Sequence, residues 1–165
     1  MSVAGITETT QYLTFKLDEE VFAVDVAKVR EILDFTTITK VPQTPEFMRG
    51  VINLRGSVVP VVDMRLKFGM SQTENTVNTC VVVMEIALGG ETTIVGSLAD
   101  SVQEVLELEP DLIEPAPHIG TRLKTDFIKG MGKHNDQFII ILDSDKVFDE
   151  ETMGLLEGVP KVVNG

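Results

Sequence analysis

The chain has 165 residues, room for one domain or two small ones, and a chain of that length buries roughly 70% of its unfolded surface without disulfide staples. Its formal charge is −12, from 26 acidic against 14 basic side chains, so nucleic acid and anionic lipid are poor partners; the charge serves solubility first, and selection among protein partners is the lesser reading. A lone cysteine, Cys80, rules out an internal bridge and fits a reducing compartment.

Residues 1–10 have no basic segment followed by an apolar one, so they read as a frayed tail and not as a signal peptide. The longest apolar runs are about five residues, far below the roughly 20 that a membrane span requires, and a cytoplasmic protein is expected. Leu13, Phe15 and Leu17 alternate with Thr14 and Lys16, which predicts a strand. Asp18-Glu19-Glu20 turns the chain, and Val21 to Val24 returns as a second strand. Asp25 then caps a predicted helix on which Val26, Val29, Ile32 and Leu33 share a face about 120° wide. That stripe fits a core or an interface, and by pattern alone the core is the better reading. Thr36 to Val41 is β-branched and predicts a strand, and Pro42 and Pro45 predict a loop.

The next stretch organises the rest. Val51 to Arg55 alternates, with Ile52 and Leu54 on one face and Asn53 and Arg55 on the other. Gly56-Ser57 supplies a two-residue turn with glycine first, as a II′ turn requires. Val58 to Val62 is apolar throughout, so both faces are covered, and Pro60 assigns the strand to an edge or a bulge. Asp63 caps a short helix from Met64 to Phe68, which Gly69 ends. Arg55 therefore sits beside a turn on a polar face, placed either for recognition or to pair with an acid such as Asp63.

Met70 to Asn78 is polar and aperiodic and reads as a linker. Thr79 to Leu88 and Thr92 to Leu98 flank Gly89-Gly90 as a hairpin. Ser101 to Leu108 fits helix and strand alike, and the prolines between Glu109 and His118 demand a loop. Arg122 to Gly132 and Gln137 to Leu142 form another hairpin, Asp143 starts a helical turn through Phe148, and Glu150 to Leu156 is a weak terminal helix. The run Val59-Pro-Val-Val-Asp63 ending in Phe68 is echoed by Ile139-Ile-Ile-Leu-Asp143 ending in Phe148, which predicts two similar β-rich units.

No catalytic constellation is apparent. His118 and His134 stand in separate loops without ligand spacing, Cys80 opens an apolar strand as an inert thiol would, and Gly130-Met-Gly132 is turn chemistry and not a phosphate loop. With no Trp and one Tyr there is no stacking platform for bases. The two readings to set beside an interaction module are a small enzyme with an unrecognised pocket and an oligonucleotide-binding barrel; the charge opposes the second.

Asn53-Leu-Arg-Gly56, Val59-Pro-Val-Val-Asp63 and Lys67-Phe68 together resemble the signature of the CheW chemotaxis coupling proteins. Gln11-Tyr-Leu-Thr-Phe15, Phe22-Ala-Val-Asp25, Lys28-Val-Arg-Glu-Ile32, Pro45-Glu-Phe-Met-Arg-Gly50, Pro115-Ala-Pro117 and Gly130-Met-Gly132 agree in order, so the resemblance covers roughly residues 11–156. It implies a mainly β fold of two SH3-like five-stranded barrels packed together with a few short helices, and it makes Ser101 to Leu108 a strand. The expected organisation is a tail at 1–10, one CheW-like domain at 11–156 and a tail at 157–165. Within the domain, subdomains are expected at about 11–69 and 79–148 and a terminal helix at about 145–156.

The resemblance further implies a non-enzymatic adaptor without cofactor or metal. Its partners are the cytoplasmic tips of methyl-accepting chemoreceptors and the regulatory domain of the histidine kinase CheA, in membrane-associated arrays. Neither nucleic acid binding nor membrane insertion is implied, and the free protein is expected to be a monomer. The receptor positions carried over are Val26, Val29 and Ile32 on the first helix, Gly50, Arg55 and Gly56 at the hairpin, and Cys80 and Val102 on the second barrel. The kinase positions are placed at His118, Ile119 and Gly120, in a loop that departs from the family pattern.

Overall fold

The computed structural model describes residues 8–34, 37–88, 90–115 and 127–148. Strands run β1 Thr10–Leu17, β2 Glu20–Asp25, β3 Val29–Asp34, β4 Met48–Leu54, β5 Ser57–Asp63, β6 Cys80–Leu88, β7 Glu91–Ala99, β8 Ser101–Leu108, β9 Ile113–Glu114, β10 Ile128–His134 and β11 Gln137–Leu142. Two short helices, α1 Met64–Lys67 and α2 Ser144–Val147, follow β5 and β11. The strands form a six-stranded sheet ordered β8-β1-β2-β11-β10-β9 and a five-stranded sheet ordered β3-β6-β7-β5-β4. The fold is thus mainly β, two SH3-like subdomains packed together, and Ser101–Leu108 is a strand.

The sheets do not follow the expected division at residues 69 and 79. The first hairpin, β1–β2, sits in a sheet with β8 to β11, and the hairpin β6–β7 sits in a sheet with β3 to β5. Each half of the chain gives its leading hairpin to the other half. Two parallel pairings join them: Val61 of β5 beside Gly96 of β7, and Ile141 of β11 beside Ala23 of β2. The sequence echo is therefore a structural repeat. After each echoed strand the same backbone bond recurs, from Asp63 N–H to the Phe47 carbonyl at 2.7 Å and from Asp143 N–H to the Phe127 carbonyl at 2.8 Å.

Strand alternation feeds three cores. On β6, Val81 and Val83 face the interior of the five-stranded sheet, while Val82, Met84 and Ile86 face a core shared by both sheets. On β1, Tyr12 faces the interior of the six-stranded sheet, while Leu13, Phe15 and Leu17 face the shared core. Both faces of β6 are covered, which is why it reads as a nearly continuous apolar run. Gly96 and Gly132 keep these interiors tight: a Cβ at either would lie 2.9 Å from Val81 or Leu108.

Several local expectations are corrected. The predicted helix at Val26 to Leu33 is a single 3₁₀ turn, Val26–Lys28, followed by strand β3. Of the predicted strand Thr36 to Val41, the described part makes one bridge, between Thr39 and Val51. That bridge ties the chain after β3 to β4 and so draws the two edges of the five-stranded sheet together. The hairpin turn is Arg55-Gly56, with φ of 50° and 87°, closed by the pair Leu54–Ser57. It follows I′ geometry and not II′. Pro60 lies on an interior strand, and its missing N–H falls just before the β7 register, which starts at Val61. Met70 to Asn78 is no loose linker. Both oxygens of fully buried Asp63 reach it, accepting from Thr73 N–H at 3.0 Å and Thr73 Oγ1 at 2.7 Å, and Arg49 spans Asp63 at 2.9 Å and the Thr73 carbonyl at 3.2 Å. The part of the expected terminal helix beyond Phe148 lies outside the described residues.

Candidate docking surface

An edge strand from each sheet borders the shared core, β3 in one and β8 in the other. On β3 the register places Val29 opposite Met84 and Ile32 opposite Val82, with a bulge between Val29 and Glu31. Directly opposed side chains share a face, and Met84 and Val82 both face the shared core. The bulge inserts one extra residue, so two side chains three positions apart point the same way. One 3₁₀ turn, at three residues per turn, aligns Val26 in the same manner. The spacing 26, 29, 32 that resembles a helix is thus made by a tight turn and a bulged strand.

Val26 and Val29 are half-buried against the shared core, and Ile32 is 42% exposed at its rim. On β8, Val102 stands opposite Phe15, again on the shared-core face, and is half-buried. Cys80 opens β6 on the same face, two residues before Val82, and pairs in register with Asp34. Its thiol is partly exposed and not buried as its apolar strand suggested, and it lies 3.2 Å from the Asn78 carbonyl. Partial burial pushes the thiol above its ordinary pKa, while the Val102 backbone, which the sulfur faces, pulls it down. Val26, Val29, Ile32, Cys80 and Val102 thus share the inter-sheet face.

Gly50, Arg55 and Gly56 are not on that face. Arg55 makes a bidentate pair with Glu31 at 2.8 and 2.9 Å, and Glu31 alternates with Ile32 to the other side of β3. The guanidinium holds the Glu31 carboxyl below its ordinary pKa through that hydrogen bond. The acid that Arg55 meets is therefore Glu31, and Asp63 is taken by Arg49. Gly50 has a backbone role: at φ 142°, a Cβ would lie 2.2 Å from the Thr39 carbonyl oxygen. Gly56 has open space around it and serves the turn, its N–H donating to Asn53 Oδ1 at 2.8 Å. His118, Ile119 and Gly120 lie outside the described residues. Among the described residues no group of three His, Cys, Asp or Glu is placed to hold a metal, and no helix is long and apolar enough to cross a membrane.

Two curled sheets sharing one core, with an apolar seam open between their edge strands, define an interaction module of the adaptor class. The family model described as the CheW-like domain matches residues 11–152. The chemotaxis protein CheW of Klebsiella aerogenes is 35% identical over 159 residues, covering 96% of this chain and 93% of that protein. The chemotaxis protein CheW of Thermotoga maritima is 31% identical, covering 92% and 96%. Among solved structures, the scaffolding protein TtCheW from Thermoanaerobacter tengcongensis superposes with a TM-score of 0.76 at 33% identity, covering 87% of this chain and 95% of that one. The chain belongs to the CheW family, whose members are chemotaxis adaptors and not enzymes.

Proposed function

We propose that this protein couples the cytoplasmic tips of chemoreceptors to the regulatory domain of a CheA-type kinase, in the cytoplasm at receptor arrays. The observation that carries this reading is the convergence of Val26, Val29, Ile32, Cys80 and Val102, distant in sequence, on one partly open inter-sheet face. An apolar seam between two rigid walls suits a helix from a receptor hairpin, which offers side chains at i, i+3 and i+4. Arg55, on the neighbouring turn and 71% exposed even when paired, can exchange Glu31 for a carboxylate or carbonyl of the receptor and set its register. Gly50 and Gly56 support this indirectly, by shaping β4 and the turn. The kinase contact is assigned to the barrel ends, with His118, Ile119 and Gly120 as one such place.

The test is simultaneous binding. Labelled receptor tip, this protein and kinase, mixed and sedimented, should give a ternary complex that is lost when this protein is omitted. If receptor and kinase displace one another from it, the bridging role is wrong.

A further inference from the structure

We propose that two ion-pair clasps of opposite polarity select which hairpin each sheet receives, favouring the exchanged arrangement over one in which each half keeps its own hairpin. The internal repeat sets the correspondence. Asp63 matches Asp143, so Arg65 on α1 matches Asp145 on α2. Val61 beside Gly96 and Ile141 beside Ala23 match β7 to β2, and with them the β7–β8 connection to the β2–β3 connection. Ala23 pairs with Thr14 and Gly96 with Val83, which matches Asp18 at the β1–β2 turn to Ala87 near the end of β6.

At these matched places the same device stands twice with its charges reversed. In the first clasp the cation is on the helix: Arg65 Nε donates to both carboxylate oxygens of Asp100, on the β7–β8 connection, at 3.1 Å. In the second the cation is on the connection: Lys28, in the 3₁₀ turn between β2 and β3, donates from Nζ to Asp145 at 2.9 Å. In both, the carboxylate also accepts a backbone N–H from the hairpin of the other sheet. Asp18 donates to Asp100 Oδ2 at 2.6 Å, and Ala87 donates to Asp145 Oδ1 at 2.9 Å. Both clasps are partly withdrawn from water, with Arg65 and Asp100 14% and 21% exposed and Lys28 and Asp145 35% and 31%, so the sign of each charge is felt more strongly than on an open surface.

The polarity separates two dockings that strand pairing leaves alike. β2 meets β11 and β7 meets β5 through the same parallel register, with a small residue, Ala23 or Gly96, at each junction. If each half kept its own hairpin, β2 would lie on β5 and bring Lys28 to Arg65, and β7 would lie on β11 and bring Asp100 to Asp145. Two attractions would become two repulsions, cation on cation and carboxylate on carboxylate. Had both clasps the same polarity, all four groups would find partners in either arrangement. Opposite polarity leaves the exchanged arrangement alone fully matched.

The experiment reverses one clasp, the other, or both in the full chain and refolds each protein from denaturant. Recovered monomer is scored by size exclusion and refolding phases by circular dichroism. Arg65→Asp with Asp100→Lys reverses the first clasp, and Lys28→Asp with Asp145→Lys reverses the second. Either reversal alone keeps an ion pair in each clasp but gives the two the same polarity, so both dockings become matched. Each should recover about threefold less monomer than the wild type, or show a refolding phase about threefold slower or more. Reversing both clasps restores opposite polarity and should bring refolding back to within about twofold of the wild type. Clasps that only add stability predict the contrary, a doubly reversed protein at least as impaired as the worse single reversal, and that result would overturn the proposal. Single reversals that refold as the wild type does would overturn it too, as would a doubly reversed protein that fails to fold.

Discussion

Ile32 and Leu33 are neighbours on one strand, yet the structure assigns them opposite fates under the same substitution. Leu33 packs into the interior of the five-stranded sheet, among Ile52, Val59, Val81 and Val83. Ile32 faces the seam and is 42% exposed. Burying a leucine side chain contributes about 1.5–3 kcal/mol, and a charge left there without a partner adds to that loss. Leu33 is only partly buried, so Leu33→Glu should cost about 2–4 kcal/mol, a large share of a stability of about 5–15 kcal/mol. At about 2–4 °C per kcal/mol for a chain of this size, its melting temperature should fall by roughly 5–15 °C. Ile32→Glu leaves the charge hydrated and should cost less than about 1 kcal/mol, under about 4 °C. It should nonetheless abolish binding of the receptor tip. Thermal melts followed by circular dichroism, run beside tip titrations, separate the two effects. Equal and large losses of melting temperature would refute the assignment of Ile32 to the rim and place the docking surface elsewhere.

Arg55→Ala should melt as the wild type does, since the guanidinium is 71% exposed, while receptor-tip affinity falls in titration. The same variant should raise the Glu31 carboxyl pKa in an NMR titration. A carboxyl held low in the fold contributes stability above its unfolded pKa and loses it as pH falls through the folded value, so the pair matters near neutrality and not in acid. Asp63→Ala leaves Arg49 half-enclosed without its partner and frees Thr73, and should cost about 3–5 kcal/mol in chemical denaturation, with faster amide exchange at Thr73; a cost below about 1 kcal/mol would refute the strapping role. Gly50→Ala should be the more damaging of two glycine changes. Its Cβ would clash with the Thr39 carbonyl, whereas Gly56→Ala meets nothing and should cost only about 1 kcal/mol for its positive φ, as paired melts would show.

Local chemistry wrote much of this fold into the chain. Alternation marked β1 and β4, the turn at Asp18 to Glu20 marked the return of β2, the cap at Asp63 marked α1, and the repeated run before Phe68 and Phe148 marked two similar units, because these features depend on neighbours a few residues away. The receptor positions were named through a family resemblance and not through periodicity. What only the tertiary structure decided are the long-range pairings. No local pattern says that β1–β2 joins β11, or that β6–β7 joins β5, because either hairpin satisfies either sheet edge by composition. The first helix failed for the same reason. Three-residue spacing at Val26, Val29 and Ile32 fits a helix in isolation, but pairing with β6 supplies a ladder that an isolated stretch this short cannot match, and a bulge keeps the spacing. The partner of Arg55 was equally hidden, since Glu31 reaches it only when the edges of one sheet are drawn together through space.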